Sequence, residues 1–134
     1  MCKIIFIGTT DTLDERPWDE QNPTFYLQHL TEEESAVRKN FTKQNVYCVG
    51  THRGCSCDFI SYSNIPDEEY RIERLGLASV IEHQLIKGNE VELYCCWAGD
   101  YNSGFEEKTK RLFARNLEDF YIDEKEIIVY SGIA

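Results

Sequence analysis

Four short apolar runs, each closed by a glycine within a few residues, constrain this chain more than any other feature. They are Ile4–Ile7 before Gly8, Val46–Val49 before Gly50, Val91–Trp97 before Gly99 and Ile127–Tyr130 before Gly132. Runs of this length, rich in β-branched and aromatic residues and stopped by a turn former, have the dimensions of buried strands. Between them lie segments with helical signals. Thr31-x-x-Glu34 is a capping box, which predicts a helix to about Phe41. Pro66-Asp67-Glu68-Glu69 opens the longest helix, whose buried stripe is Arg74-Leu77-Ala78-Ile81-Leu85 and whose end is Gly88-Asn89. Ser103-x-x-Glu106, with Leu112-Phe113-Leu117-Phe120 after it, predicts a third helix.

Weaker signals fill the gaps. Phe25–Leu30 and Asp58–Tyr62 read as further short strands, and residues 11–24, which contain Trp18, have no period and read as a long loop. The resulting order of strands and helices predicts an α/β or α+β protein. It has a single mixed sheet of about 4–6 strands with about three helices packed on it, and residues 1–134 form one domain. If the four glycine-ended strands run parallel, the loops after them meet at one sheet edge, where open α/β proteins bind ligands. That edge would gather Thr9, Thr10, His52, Arg53, Cys55, Cys57, Trp97 and Asp100.

Charge narrows the function classes. Fourteen Lys and Arg against 24 Asp and Glu give a formal net charge of −10, which opposes contact with a nucleic-acid backbone or an anionic membrane surface. The basic residues are interleaved with carboxylates, as on a solvated helix face. No apolar run approaches the roughly 18 residues of a membrane span, and the N-terminal run is too short for a signal-peptide core, so a cytoplasmic location is expected. In such a reducing compartment the six cysteines are core residues, metal ligands or reactive thiols.

The densest chemistry is His52-Arg53-Gly54-Cys55-Ser56-Cys57. His52, Cys55 and Cys57 are an imidazole and two thiolates within six residues, a donor set that suits Zn²⁺. A fourth ligand would have to come from Cys48, Cys95 or Cys96. Cys95 and Cys96 cannot both serve one site, because adjacent strand residues face opposite ways. The other chemistry is a reactive thiol, with Cys55 as nucleophile, Cys57 as resolving partner, and Arg53 and His52 as the groups that favour the thiolate. Thr9, Trp97 and Asp100 are then the candidate substrate-binding residues. Against both readings stands plain burial, since Cys2, Cys48, Cys95 and Cys96 occupy strand positions where a small hydrophobe belongs.

Other motifs carry less. Gly8-Thr9-Thr10 lacks the glycine spacing and lysine of a phosphate-binding P-loop, and no Gly-x-Gly-x-x-Gly or Gly-x-Ser-x-Gly occurs. His83 falls off the buried stripe of its helix and reads as solvent-facing, and His29 flanks a helix start. The function expected from the sequence is a thiol- or metal-dependent small-molecule site at the His52–Cys57 loop. The alternative is a non-catalytic interaction module, or homo-oligomer, with core cysteines. The sequence assigns no reaction.

Overall fold

The computed structural model describes residues 2–17, 21, 25–51, 56, 68–114 and 122–133. Its elements are β1 (Lys3–Thr9), β2 (Tyr26–His29), a 3-10 helix (Glu34–Asn40), β3 (Asn45–Gly50), α1 (Glu68–Ile86), β4 (Val91–Trp97), β5 (Glu107–Phe113) and β6 (Glu126–Ile133). The six strands form one mixed sheet in the order β2-β3-β1-β4-β6-β5. This is an α+β arrangement, with two helices rather than about three among the described residues. Asp58–Tyr62 and the start of the long helix at Pro66 lie outside the described residues.

Burial explains the two-sided sheet. All seven residues of β1 are buried, so neither face of this strand meets water. One face packs Ile5 and Ile7 with Leu77, Ala78 and Ile81 of α1, and with Leu93 and Ile128. The other packs Ile4 and Phe6 with Cys48, Tyr94, Cys96, Ile127 and Val37 of the 3-10 helix. The predicted stripe of α1 is therefore borne out from Leu77 to Leu85. The helix ends as its Gly88-Asn89 signal requires: Gly88 has φ +86° and donates its N–H to Leu85 O at 3.0 Å, while Asn89 donates to Gln84 O at 3.1 Å. This pair of bonds is a Schellman cap, and it needs the left-handed residue that glycine supplies without strain.

The first capping box also forms. Thr31 N donates to the Glu34 carboxylate at 2.9 Å, and Glu34 N donates to Thr31 Oγ1 at 3.2 Å. The box opens a 3-10 helix, which Asn40 fastens to the sheet. The side chain of Asn40 is buried, donates to Ser103 O at 3.2 Å and accepts from Phe105 N at 2.9 Å. Together the 3-10 helix and residues 100–105 roof the second face.

The second capping box does not start a helix. Ser103 Oγ instead donates to the Asp100 carboxylate at 2.6 Å, and Glu106 N donates to Lys125 O at 2.8 Å, which leads the chain into β5 beside β6. In the strand, Thr109 and Arg111 bond the buried Glu126 carboxylate at 3.1 and 3.3 Å from one face. Leu112 is 65% exposed while Phe113 is fully buried, so the two neighbours point to opposite sides rather than sharing a helix stripe. Leu117 and Phe120 lie outside the described residues.

The expected gathering of loops at one edge is overturned as well. β1 runs antiparallel to both β3 and β4, and β4 antiparallel to β6; only β5 and β6 pair in parallel. The ends of β3 and β4 therefore share one edge, and the end of β1 lies at the other. β6 also continues through Gly132 to Ile133, so that glycine does not stop the strand.

The described core carries ionisable groups held neutral. Burial pushes the Cys96 thiol up from 9.0 to about 12, helped by the nearby Cys95 and Asp100, and burial pushes the Tyr130 hydroxyl up from 10.0 to about 12. Cys48 and Tyr94 are displaced upward for the same leading reason. Each folded-state value is raised, so the stability it contributes is complete below the unfolded value and is lost as pH rises towards the folded one. The urea midpoint, tracked by far-UV circular dichroism, is expected to hold constant from pH 7 to pH 8.5. It should then fall steadily above about pH 9; a midpoint unchanged to pH 11 would contradict this burial.

Candidate functional site

Two regions have the ingredients of a site, one at each side of the antiparallel β1. The first is the edge where β1 begins and β3 and β4 end. Of the residues expected there, Trp97 and Asp100 are present. Trp97 is directly across from Lys3, whose ammonium lies 5.3 Å from the centre of the indole ring. Asp100 donates its N–H to Trp97 O at 2.9 Å and accepts from Ser103 Oγ, so its carboxylate is tied into the turn. Thr9 is at the far end of β1, about 20 Å away along the strand. It is fully buried and its hydroxyl donates to Asp11 O at 2.7 Å, a turn-forming bond. Thr10 is at the same far end, so neither threonine joins Trp97 and Asp100.

His52, Arg53, Cys55 and Cys57 lie outside the described residues, but Ser56 between the two cysteines is described. It is fully buried. Its N–H donates to Lys3 O at 3.1 Å, its hydroxyl accepts from Ile5 N at 2.8 Å, and the same hydroxyl donates to Val49 O. Ile5 and Val49 are paired residues of β1 and β3, so the serine hydroxyl stands as a relay between strands where a direct ladder bond would be expected. Ala98 N donates to Cys2 O at 2.8 Å beside it, and Cys2 is exposed.

The remaining described cysteines are core residues. Cys48, Cys95 and Cys96 are buried and unbridged, and Cys95 and Cys96 enter opposite cores as adjacent strand residues must. Burial, with the Glu34 carboxylate adding to it, drives the Cys48 thiol well above its ordinary value and away from the nucleophilic thiolate. Among the described residues no group of three or more His, Cys, Asp and Glu side chains is placed to hold a metal ion.

The second region is a cleft of about 680 Å³ between α1, the edge strand β2 and the segment after β1. Three sets of bonds hold its outer wall. Leu13 N donates to the hydroxyl of the buried Tyr47 at 2.9 Å, Arg16 and Leu27 exchange backbone bonds of 2.7 and 2.9 Å, and His29 N donates to the Glu15 carboxylate at 2.9 Å. The floor is apolar, formed by Phe25, Leu27, Leu13 and Val80. The Arg16 guanidinium lies 4.3 Å from the centre of the Phe25 ring. That ring also fixes α1, because a Cβ on Gly76 would stand 2.5 Å from its Cε1 atom.

Along α1 the residues facing the cleft are Gly76, Ser79, Val80, His83, Gln84 and Lys87. Their spacing of three and four is one helical face, adjacent to the buried stripe. His83 is exposed, as its position off the stripe predicts, yet it faces this cleft. Sequence patterning misses the cleft because one third of its lining, Thr12, Leu13, Asp14 and Arg16, comes from the periodless segment after β1. The small residues Gly76 and Ser79, on the helix face beside the buried stripe, are the sequence signal that could have found it.

Replacing Ser56 with Ala leaves the buried Ile5 N–H and Val49 O without their relay. Ser56→Ala is expected to cost about 1–3 kcal/mol in urea denaturation and to speed exchange of the Ile5 amide; an unchanged midpoint would show that the strands close directly over the gap. No protein-family model matches this chain, nor does any curated protein or solved structure, so a functional reading rests on this geometry.

Proposed function

We propose that this chain is a small-molecule-binding α+β protein whose ligand sits in the cleft between α1 and residues 12–16. The observation that carries the reading is the cleft itself, an apolar floor with polar groups on one side and walls held by backbone and side-chain bonds. Its volume of about 680 Å³ falls in the ordinary range of small-ligand sites, roughly 300–1,000 Å³. Walls fixed in advance lower the ordering cost of binding. The uncharged fluorophore N-phenyl-1-naphthylamine is expected to bind with enhanced emission, and Ser79→Trp, which places an indole in the cleft from an exposed helix position, should weaken it at least tenfold. Equal binding by both proteins would place the dye elsewhere and remove the reading.

A second reading keeps His52, Cys55 and Cys57 as a zinc site, or Cys55 and Cys57 as reactive thiols with His52 and Arg53 beside them. The anchoring of Ser56 supports it, because three hydrogen bonds hold the centre of the Cys-x-Cys pair at the sheet edge that also carries Trp97 and Asp100. Elemental mass spectrometry of untagged protein, purified without chelators or metal-affinity media, should find about one zinc per chain under the metal version, lost in Cys55→Ser. Metal-free protein leaves the thiol version, for which Cys55 and Cys57 must modify faster than Cys48, Cys95 and Cys96.

A further inference from the structure

The two ends of the cleft differ in chemistry. Near Phe25, α1 presents Gly76, Ser79 and Val80, and two turns further on it presents His83, Gln84 and Lys87. The charges of the described lining also run against those of the chain. The sequence has 24 carboxylates to 14 Lys and Arg, whereas the cleft lining has Arg16, at the Phe25 end, and Lys87, one helical turn from His83, against the single carboxylate of Asp14. A second carboxylate, that of Asp11, stands at the rim and pairs with Lys87 at 3.4 Å, the two side chains being 40% and 49% exposed. A pair so exposed is weak and readily exchanged for another partner. Asp11 also accepts from Asn89 Nδ2 at 3.2 Å, so it keeps a partner when Lys87 turns away.

We infer that the cleft takes a small organic acid: an apolar aryl or alkyl body lying against the partly exposed Leu13 and Val80, with a single anionic group at the Lys87 and His83 end. The inference rests on the cleft being the binding site. Burial of the body supplies non-directional affinity in proportion to apolar area. The cationic end then orients the ligand and discriminates against the neutral analogue, since in a chain of charge −10 an anion is repelled from most other surfaces.

The test compares two dyes of nearly the same shape, 8-anilinonaphthalene-1-sulfonate and its uncharged counterpart N-phenyl-1-naphthylamine, by fluorescence titration at low and high salt. The sulfonate is expected to bind about fivefold tighter at low salt, as one or two partly exposed charge pairs provide, and to lose that advantage in high salt. Lys87→Met should close the gap between the dyes. Asp11→Asn, which frees the Lys87 ammonium and keeps an acceptor for Asn89, should widen it. Displacement of the bound sulfonate by 2-naphthoate or by decanoate then distinguishes an aromatic acid from a fatty acid, and displacement by neither overturns the inference. If the neutral dye binds as tightly as the sulfonate and Ser79→Trp abolishes it, the cleft stands as the site and the acid preference falls. If neither dye binds, or both survive Ser79→Trp, the cleft reading falls with it.

Discussion

A strand buried on both faces governs this molecule. β1 has no residue in water, so each of its sides needs its own cover, and the chain must supply two hydrophobic layers from 134 residues. Among the described residues α1 is the one helix that packs on the first side, joined there by Leu13 and Ile122. The other is covered by pieces: a 3-10 helix and a turn, held to one another by the buried amide of Asn40 and by a bond from Lys39 to Asn102 O. Polar groups in this second layer are consistently satisfied. The buried Glu92 carboxylate accepts from Thr42 N, Thr42 Oγ1 and Lys43 N at 2.9 to 3.0 Å, which pins the turn before β3. A buried carboxylate without such donors would cost several kcal/mol (about 3–5), so the turn and the glutamate depend on each other.

The antiparallel setting of β1 also decides where chemistry can sit. With β3 and β4 running against β1, one edge of the sheet receives the ends of β3 and β4 together with the Ser56 anchor. The opposite edge receives the turn after β1, from which residues 11–16 fold back along β2. That return converts an exposed edge strand into one wall of a cleft, and the bridge between Arg16 and Leu27 occupies backbone groups that would otherwise invite pairing by another chain. The cleft is thus a by-product of edge protection, with α1 as its other wall.

Glycine marks two different things here. At Gly88 it permits a left-handed turn and ends a helix. At Gly76 and Gly50 it makes room for a ring: the Phe25 ring presses on α1, and a Cβ on Gly50 would stand 2.4 Å from atoms of the Tyr26 ring across the strand pair. Gly50 therefore lies within β3 and not after it, and Gly132 likewise lies within β6. Reading glycine after an apolar run as a strand end moved the ends of β1, β3 and β6 inward by one to three residues, while β4 ends at Trp97 as its run predicts.

The amino-acid sequence by itself determined the features that depend on near neighbours. The four buried runs, the Thr31–Glu34 capping box, the stripe and cap of α1, and the opposed faces of Cys95 and Cys96 all arise from spacings of two to four residues, and each is present. Strand direction does not come from such spacings, because an apolar run reads the same whichever way its partner runs. The second capping pattern failed for a related reason: Ser103 and Glu106 found partners in Asp100 and Lys125, and pairing with β6 outweighed a local helical preference. The tertiary structure alone decided that Thr9 stands apart from Trp97 and Asp100, that Ser56 bridges two strands, and that residues 12–16 face α1 across a cleft. Those are contacts between segments tens of residues apart, and what sets them is the need to cover both faces of one strand.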